Sequence, residues 1–263
     1  MTIKIDNTGG SAGGGGGAAT WTPLGVTTTT VGGIPSGTNL GVVPVLDQTT
    51  LRSMFYPYVA PTVSIALTPA AGLREFGNPV AATIITPTTV RNSNPITTLT
   101  LSRSGVGLIF TYGAPNPAGG VEPPYTDIGG AVTTNTTYTA TVGDGTSTTN
   151  GTASYSFVYP YYYGVGAPNL TGAQIGALTK IIQTQQNTNT VTSPTVQVYY
   201  FAYPATYPNL TSILDQSNFE TIGDYTLRNP VVIIGLDGNP VNYKVYEFNN
   251  LTTQIAFTNH YIY

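Results

Sequence analysis

The sequence predicts a mainly β protein: an immunoglobulin-like antiparallel β-sandwich, a second β-rich domain with one or two short helices, and an extended N-terminal arm. Three observations predict it. Hydrophobic residues make up 40% of the 263 residues, enough for a real core, while charged residues make up only 7%, against about 25% in an ordinary soluble domain. Thr and Tyr suit a pleated surface, and Gly, Asn and Pro suit turns, so the uncharged polar composition favours strands and their connections. From residue 61 onward, short alternating or β-branched runs recur between turn signals, at the close spacing of a sandwich.

The first 60 residues read as an attachment arm. "NTGGSAGGGGGAAT" at 7–20 is a Gly-rich tether. No Lys-Ser or Lys-Thr follows it and no strand–helix frame surrounds it, so it is not a phosphate loop. Thr2–Ile5 has the length to pair as a short strand on another chain, and Trp21 is the sole tryptophan, either an anchor into a partner or a local packing residue. "LDQTTLRSMFY" at 46–56 is helix-like. Leu46, Thr50 and Met54 share a stripe with Leu51 and Phe55 beside it, Asp47 is placed to cap it, and Pro57 stops it. A docking or trimerising helix and an ordinary packed helix both fit that pattern.

Residues 61–165 read as the sandwich. "TVSIALT" alternates, "VAATIITPTTV" and "ITTLTLSRS" are β-branched runs bounded by Asn78-Pro79 and Asn94-Pro95, and "GLIFTYG" is a further strand. "TTYTATVGDGT" predicts a strand ending in a turn at Asp144-Gly145. "GTASYSFVYPYYYG" closes the set, with Tyr155, Phe157 and Tyr159 on one face. The Cys and Trp landmarks of antibody domains are missing from it.

Residues 166–263 read as a β-rich α+β domain. "NLTGAQIGALTKIIQT" at 169–184 predicts a second helix, with Ile175, Leu178, Ile181 and Ile182 as its stripe and Asn169 or Thr171 as its cap. "TVQVYYFAYP" is apolar on both faces, which predicts a central or covered strand. "NPVVIIGLDGNPVNYKVYEF" predicts a hairpin turned at Asp237-Gly238, and "TQIAFTNHYIY" a last strand with Ile255, Phe257 and Tyr261 on one face.

The residue inventory excludes several chemistries. Eight Lys and Arg are scattered along the chain without a basic patch, so nucleic acid is not an expected partner. There is no cysteine, hence no disulfide framework and no thiolate metal site. No apolar run nears the ~20 residues of a membrane span, so no membrane insertion is expected. "MTIKIDNTGG" lacks the apolar stretch of a signal peptide. Synthesis in a cytoplasm is therefore expected, with the Asn-x-Thr triplets unmodified. His260, the single histidine, sits between Asn259 and Tyr261 on the polar face of the last strand; neither a Ser–His–Asp triad nor a three-histidine zinc site is expected of it. Glu75, Glu122, Asp144, Asp215, Glu220 and Asp224 supply carboxylates without the paired motif of a glycosidase. No catalytic residue, no cofactor and no metal are expected, and the chain reads as a non-enzyme.

Tyrosine is the remaining candidate. A phenol buries a large area while its hydroxyl keeps one polar partner, which suits a joint between domains or subunits. Tyr56, Tyr159, Tyr161, Tyr162 and Tyr163, together with Trp21, Leu51, Met54 and Phe55, are the expected docking or oligomer contacts. Flat aromatic faces also bind sugars, and Tyr199, Tyr203 and Tyr207 are the expected positions for a glycan. A surface so poor in charge has little repulsion to keep copies apart, which predicts burial against other copies or partners.

"IPSGTNLGVVPVLDQTTLRSMFYPYVAPTVSIALT", followed by "REFGNPV", "TVRNSNPITTLTL" and "FVYPYYYG", resembles a module of tailed-bacteriophage virion proteins found in tail-fibre, baseplate and neck or head fibre proteins. The resemblance covers roughly residues 30–165 and extends to the last hundred only in style. It implies a non-enzymatic structural component of a virion. That component would be a homotrimer attached by its N-terminal part; a short tail or baseplate fibre is the expected place for it, with a head or neck fibre or decoration protein as the alternative. Its expected partners are other phage structural proteins of the baseplate, tail or neck, and host surface glycans are expected through the tyrosines, as a glycan-binding receptor module. The resemblance transfers no catalytic residue.

Overall fold

Alternation in the sequence becomes two packed sheets in the first half of a computed structural model, which describes residues 57–184, 188–191, 197–249 and 257–263. The tether, the helix-like stretch at 46–56, and Trp21, Leu51, Met54, Phe55 and Tyr56 lie outside the described residues. Contacts divide the chain into residues 1–59 and 60–263; the described residues of the second unit are mainly β, with one short α-helix and a 3-10 turn at Ile222–Asp224.

Its first half contributes β1 (Thr62–Thr68), β2 (Gly72–Glu75), β3 (Thr83–Val90), β4 (Thr98–Arg103), β5 (Gly107–Thr111), β6 (Gly119–Val121), β7 (Tyr125–Asp127), β8 (Thr136–Gly143) and β9 (Thr148–Val158). One sheet runs β1-β3-β6, with β7 also on β3; the other runs β2-β9-β8-β4-β5. Every pairing is antiparallel except β2 with β9. The period of two shows in β8, where Thr136, Tyr138, Ala140 and Val142 are buried and the threonines between them are half-buried. Leu67 and Ile85 of the first sheet meet Leu99, Leu101, Tyr138, Val142, Tyr155 and Phe157 of the second. Burying a side chain of that size contributes about 1.5–3 kcal/mol. Asp127 of β7 reaches across the layers to Arg103 of β4 at 3.0 Å and the Tyr138 hydroxyl of β8 at 2.7 Å. β2, β6 and β7 are strands that the sequence patterns do not predict; each has three or four residues.

The second half contributes β10 (Tyr161–Gly166), α1 (Gly172–Gly176), β11 (Thr179–Ile181), β12 (Thr188–Val191), β13 (Val198–Pro204), β14 (Ser212–Leu214), β15 (Tyr225–Ile234), β16 (Pro240–Phe248) and β17 (Phe257–Ile262). A five-stranded antiparallel sheet runs β11-β10-β13-β16-β15, and a three-stranded one runs β12-β17-β14. β13 is central and buried along its whole length, as its two apolar faces predict. Tyr199, Phe201 and Tyr203 point to the three-stranded sheet and pack with Ile213 and Tyr261. Tyr200 and Ala202 point the other way, into a cluster with Ile175 of α1, Tyr243 and Val245. The hairpin turned at Asp237-Gly238 is present as β15–β16.

The helix predicted over 169–184 is corrected by this arrangement. Thr171 does cap a helix, its hydroxyl accepting from the Gln174 amide while Gln174 reaches back. That helix ends at Gly176, and Thr179–Ile181 instead pair with Tyr161–Tyr163 of β10. Glycine at 176 and β-branched residues at 179, 181 and 182 are poor helix formers, and an open sheet edge offers them hydrogen bonds. β10 itself belongs to this second sheet, so the sandwich strands end at Val158.

Candidate functional site

The seam between the two halves is where backbone demands, charge and aromatic rings converge. Gly77 follows β2 and has φ +90°, a conformation that glycine adopts without strain. A Cβ there would lie 2.3 Å from the Asp237 amide nitrogen at the tip of the β15–β16 hairpin, so the close approach requires glycine. Three contacts bridge the seam beside it. Lys180 of β11 pairs with Glu75 of β2 at 2.6 Å, the Tyr159 hydroxyl donates to Asp237 Oδ2 at 2.9 Å, and the Tyr243 hydroxyl donates to the Pro160 carbonyl at 3.0 Å.

A cleft of about 480 Å³ opens at this seam, lined by Phe76, Gly77, Pro79, Thr133, Thr134, Tyr159, Asp237 and Asn239. The Phe76 and Tyr159 rings lie 4.7 Å apart, tilted by 34°. Asp237 is the charged member of the lining. Its Oδ1 accepts from the Asn239 amide at 3.1 Å and its Oδ2 from the Asn239 side chain at 2.8 Å, in addition to Tyr159. Burial works to raise the Asp237 carboxyl, but the hydrogen bonds from Asn239 and Tyr159 outweigh it and hold the group below its ordinary value. Burial, then the hydrogen bond to Asp237 and its charge, push the Tyr159 phenol up. The cleft thus presents a fixed aromatic wall, an ionised carboxylate and exposed threonines. Glycoside cleavage needs a second carboxylate facing the first, which this lining lacks.

The predicted contact residues fall in different places. Tyr159 is on the cleft, half-buried. Tyr161 and Tyr162 are buried on opposite faces of β10, Tyr161 beside Tyr203 and Tyr207, Tyr162 beside Tyr243. Tyr163 is half-buried against the larger aromatic cluster. The glycan positions are corrected for two of three residues. Tyr199 and Tyr203 are wholly inside, with hydroxyls bonded to Tyr261 at 2.6 Å and to the Pro208 carbonyl at 3.0 Å, so neither shows a face to a sugar. A strand with both faces apolar buries its rings, which favours core over platform. Tyr207 is half-buried against the same cluster. Tyr159 is the one lining residue that the sequence marks as a contact; Phe76, Gly77, Pro79, Thr133, Thr134 and Asn239 carry no such signal, and Asp237-Gly238 is legible only as a turn.

The other ionic groups have architectural work. Glu122 is buried and accepts from the Asn116 amide and the Thr89 hydroxyl. Asp144 Oδ1 accepts from the Thr146 and Ser147 amides, and Asp215 Oδ1 from those of Ser217 and Phe219. Glu220 accepts from Ser212 and from the Ile213 and Ile222 amides. Arg228 pairs with Glu247 at 3.0 Å, Arg74 lies over the Tyr155 ring, and Lys244 is buried. His260 Nδ1 is 3.0 Å from the Thr188 hydroxyl. Among the described residues no three His, Asp or Glu are grouped to hold a metal, and no helix is long and apolar enough to cross a membrane.

Comparison with known proteins returns no family model that matches the chain and no curated protein similar to it.

Proposed function

We propose that this chain is a non-enzymatic structural subunit of a tailed-phage particle, a short tail or baseplate fibre that docks by its N-terminal arm and assembles as a trimer. The observation that carries this reading is the direction in which the few charges point. Glu75, Glu122, Asp127, Asp144, Lys244 and Glu247 are buried, and Arg103 is spent on Asp127. Among the described residues the exposed charges are few, Arg91, Lys180, Glu220 and Asp224, while large apolar side chains show, among them Val232, Ile234 and Leu236 near one sheet edge and Val106 and Leu108 near another. Exposed apolar residues at strand edges, with few charges to repel a neighbour, favour association of copies. The packing of a four-stranded sheet on a five-stranded one supports a sandwich spacer, which we read as immunoglobulin-like. The phage assignment rests on the resemblance over residues 30–165.

Light scattering on the size-separated full chain tests the assembly. The expected mass is three times the 27.5 kDa of one chain. A monodisperse monomer at high concentration would overturn the trimer. Locating the chain on a particle by electron microscopy tests the site of attachment.

A further inference from the structure

We propose that Phe219 is a protein-docking knob, a rigidly held ring that seats in an apolar socket rimmed by Lys or Arg on a different protein. Among the described residues it is the most exposed aromatic side chain, at 69%. The other described rings of the C-terminal half are buried or half-buried. A ring on a slack loop would fold back onto that cluster; the backbone here prevents it. The Asp215 amide donates to the Phe219 carbonyl at 2.9 Å, and the Asn218 amide to the Asp215 carbonyl at 3.0 Å. Asp215 Oδ1 accepts from the Ser217 and Phe219 amides at 2.8 and 3.0 Å. Asn218 takes φ +63°, which asparagine tolerates better than most residues. Glu220 is tied to the Ser212 hydroxyl and to the Ile213 and Ile222 amides. The ring is therefore presented before a partner arrives, which lowers the ordering cost of association. A few such anchors, seated in pockets, carry most of the energy of a protein interface.

Charge names the partner. No Lys or Arg occurs between Lys180 and Arg228, while Asp215, Glu220 and Asp224 all lie within five residues of Phe219. Glu220 and Asp224 are the exposed acids among the described residues. Hydrogen bonds from Ser212 and the Ile222 amide hold the Glu220 carboxyl below its ordinary value, so it is charged. A second copy answers that charge poorly: its exposed cations are Arg91 on the sandwich and Lys180, already paired with Glu75. Anionic headgroups of a bilayer would repel the acids. β15 starts directly after this loop and runs toward the hairpin tip at the seam. At about 3.3 Å per residue, its ten residues set the loop roughly 30 Å from the seam, clear of the sandwich. The contact goes beyond the structural-subunit reading and does not depend on the trimer.

Selection from a random linear-peptide library on the immobilised full chain tests it, with Phe219→Ser run in parallel. Peptides enriched on the unsubstituted chain alone are expected, each carrying apolar residues beside Lys or Arg. Phe219→Ser is expected to weaken the best of them about thirty-fold by calorimetry, the threshold of an interface hot spot. Its unfolding midpoint should stay unchanged, because the ring is exposed. Asp224→Lys, which leaves the ring in place, is expected to weaken the same peptide and to flatten its dependence on sodium chloride. No enrichment, enrichment that ignores Phe219, or an acidic or uncharged consensus would each overturn the proposal. A change in oligomeric mass in Phe219→Ser by light scattering would assign the ring to a second copy. Flotation with phosphatidylcholine vesicles that Phe219→Ser abolishes would assign it to a bilayer. Either result would also overturn the proposal.

Discussion

The sandwich and the C-terminal sheets solve the same problem with different side chains. The sandwich core is largely aliphatic, with Leu67, Ile85, Leu99, Leu101 and Val142, and takes in the wholly buried rings of Tyr138 and Tyr155. Nearly every member of the larger C-terminal cluster is an aromatic ring, and most are phenols. An aliphatic side chain asks only to be out of water. A buried phenol also needs a partner for its hydroxyl, and the C-terminal half supplies them one by one. Tyr199 meets Tyr261, Tyr200 donates to the Ala167 carbonyl, Tyr203 to Pro208, and Tyr243 to Pro160. The difference teaches that a chain short of charge can build specificity from phenols: the hydroxyls of Tyr200, Tyr203 and Tyr243 pin carbonyls that a leucine would leave unguided.

Alkaline pH should produce the largest divergence between the two halves. An unfolded phenol titrates near 10. In the sandwich, burial pushes Tyr112 and Tyr138 up to about 12. In the C-terminal half, burial pushes Tyr200 up to about 12 and raises Tyr161, Tyr162, Tyr203, Tyr225 and Tyr243. Above pH 10 the unfolded chain has released protons that the folded one still holds, so the stability from neutral phenols is complete below 10 and falls as pH rises toward 12. More phenols in the C-terminal half mean a steeper fall there. Brief proteolysis at stepped pH, with fragments identified by mass, should find the first new cuts between residues 161 and 263. First cuts within residues 61–158 would reverse the comparison.

Truncating one core residue in each half should give the next largest effect. Phe201 stacks on Tyr261 with centroids 3.8 Å apart and touches the rings of Tyr161 and Tyr203. Phe201→Ala should cost about 3–5 kcal/mol and Leu101→Ala about 2–5 kcal/mol. The phenylalanine is expected at the upper end, because its neighbours are held by their hydroxyls and cannot collapse into the cavity. Urea unfolding of the two variants measures both. A smaller loss for Phe201→Ala would mean that the aromatic cluster is the more plastic core.

The same contrast explains what was legible in the sequence. Sandwich strands such as Thr136–Gly143 alternate because one face meets the core and the other meets water, and that period is written in the residues. β13 was legible for the opposite reason, since a strand covered on both sides must be apolar throughout. The stretch after Gly176 was not legible as a strand, because Ile175, Leu178, Ile181 and Ile182 fall at helical spacing by coincidence, and only the free edge of β10 decides for β11. The short strands β2, β6 and β7 are too brief for any period to show. The cleft was hidden more deeply still. Phe76 and Asp237 are 161 positions apart in sequence, and their meeting depends on Gly77 accepting the hairpin tip at a distance that no local pattern records.

The ion pairs carry the comparison to its smallest effect. In the sandwich, Arg103 and Asp127 have side chains only 11% and 1% exposed, and Tyr138 and the Gly129 amide share the carboxylate, so the pair is enclosed in a network. At the seam, Lys180 is 48% exposed beside a Glu75 that is 9% exposed, and water reaches the ammonium group directly. An ion pair so wetted stabilises by about 0–1 kcal/mol and weakens with salt. Lys180→Met should therefore lower stability by under about 1 kcal/mol, with the difference from the unsubstituted chain shrinking as sodium chloride is added. The seam would then be held mainly by the fit of Gly77 to the hairpin and by the phenols of Tyr159 and Tyr243, which salt does not touch. A loss of several kcal/mol that persists in high salt would instead make Lys180 the clamp between the halves, and place charge rather than phenol at the centre of the joint.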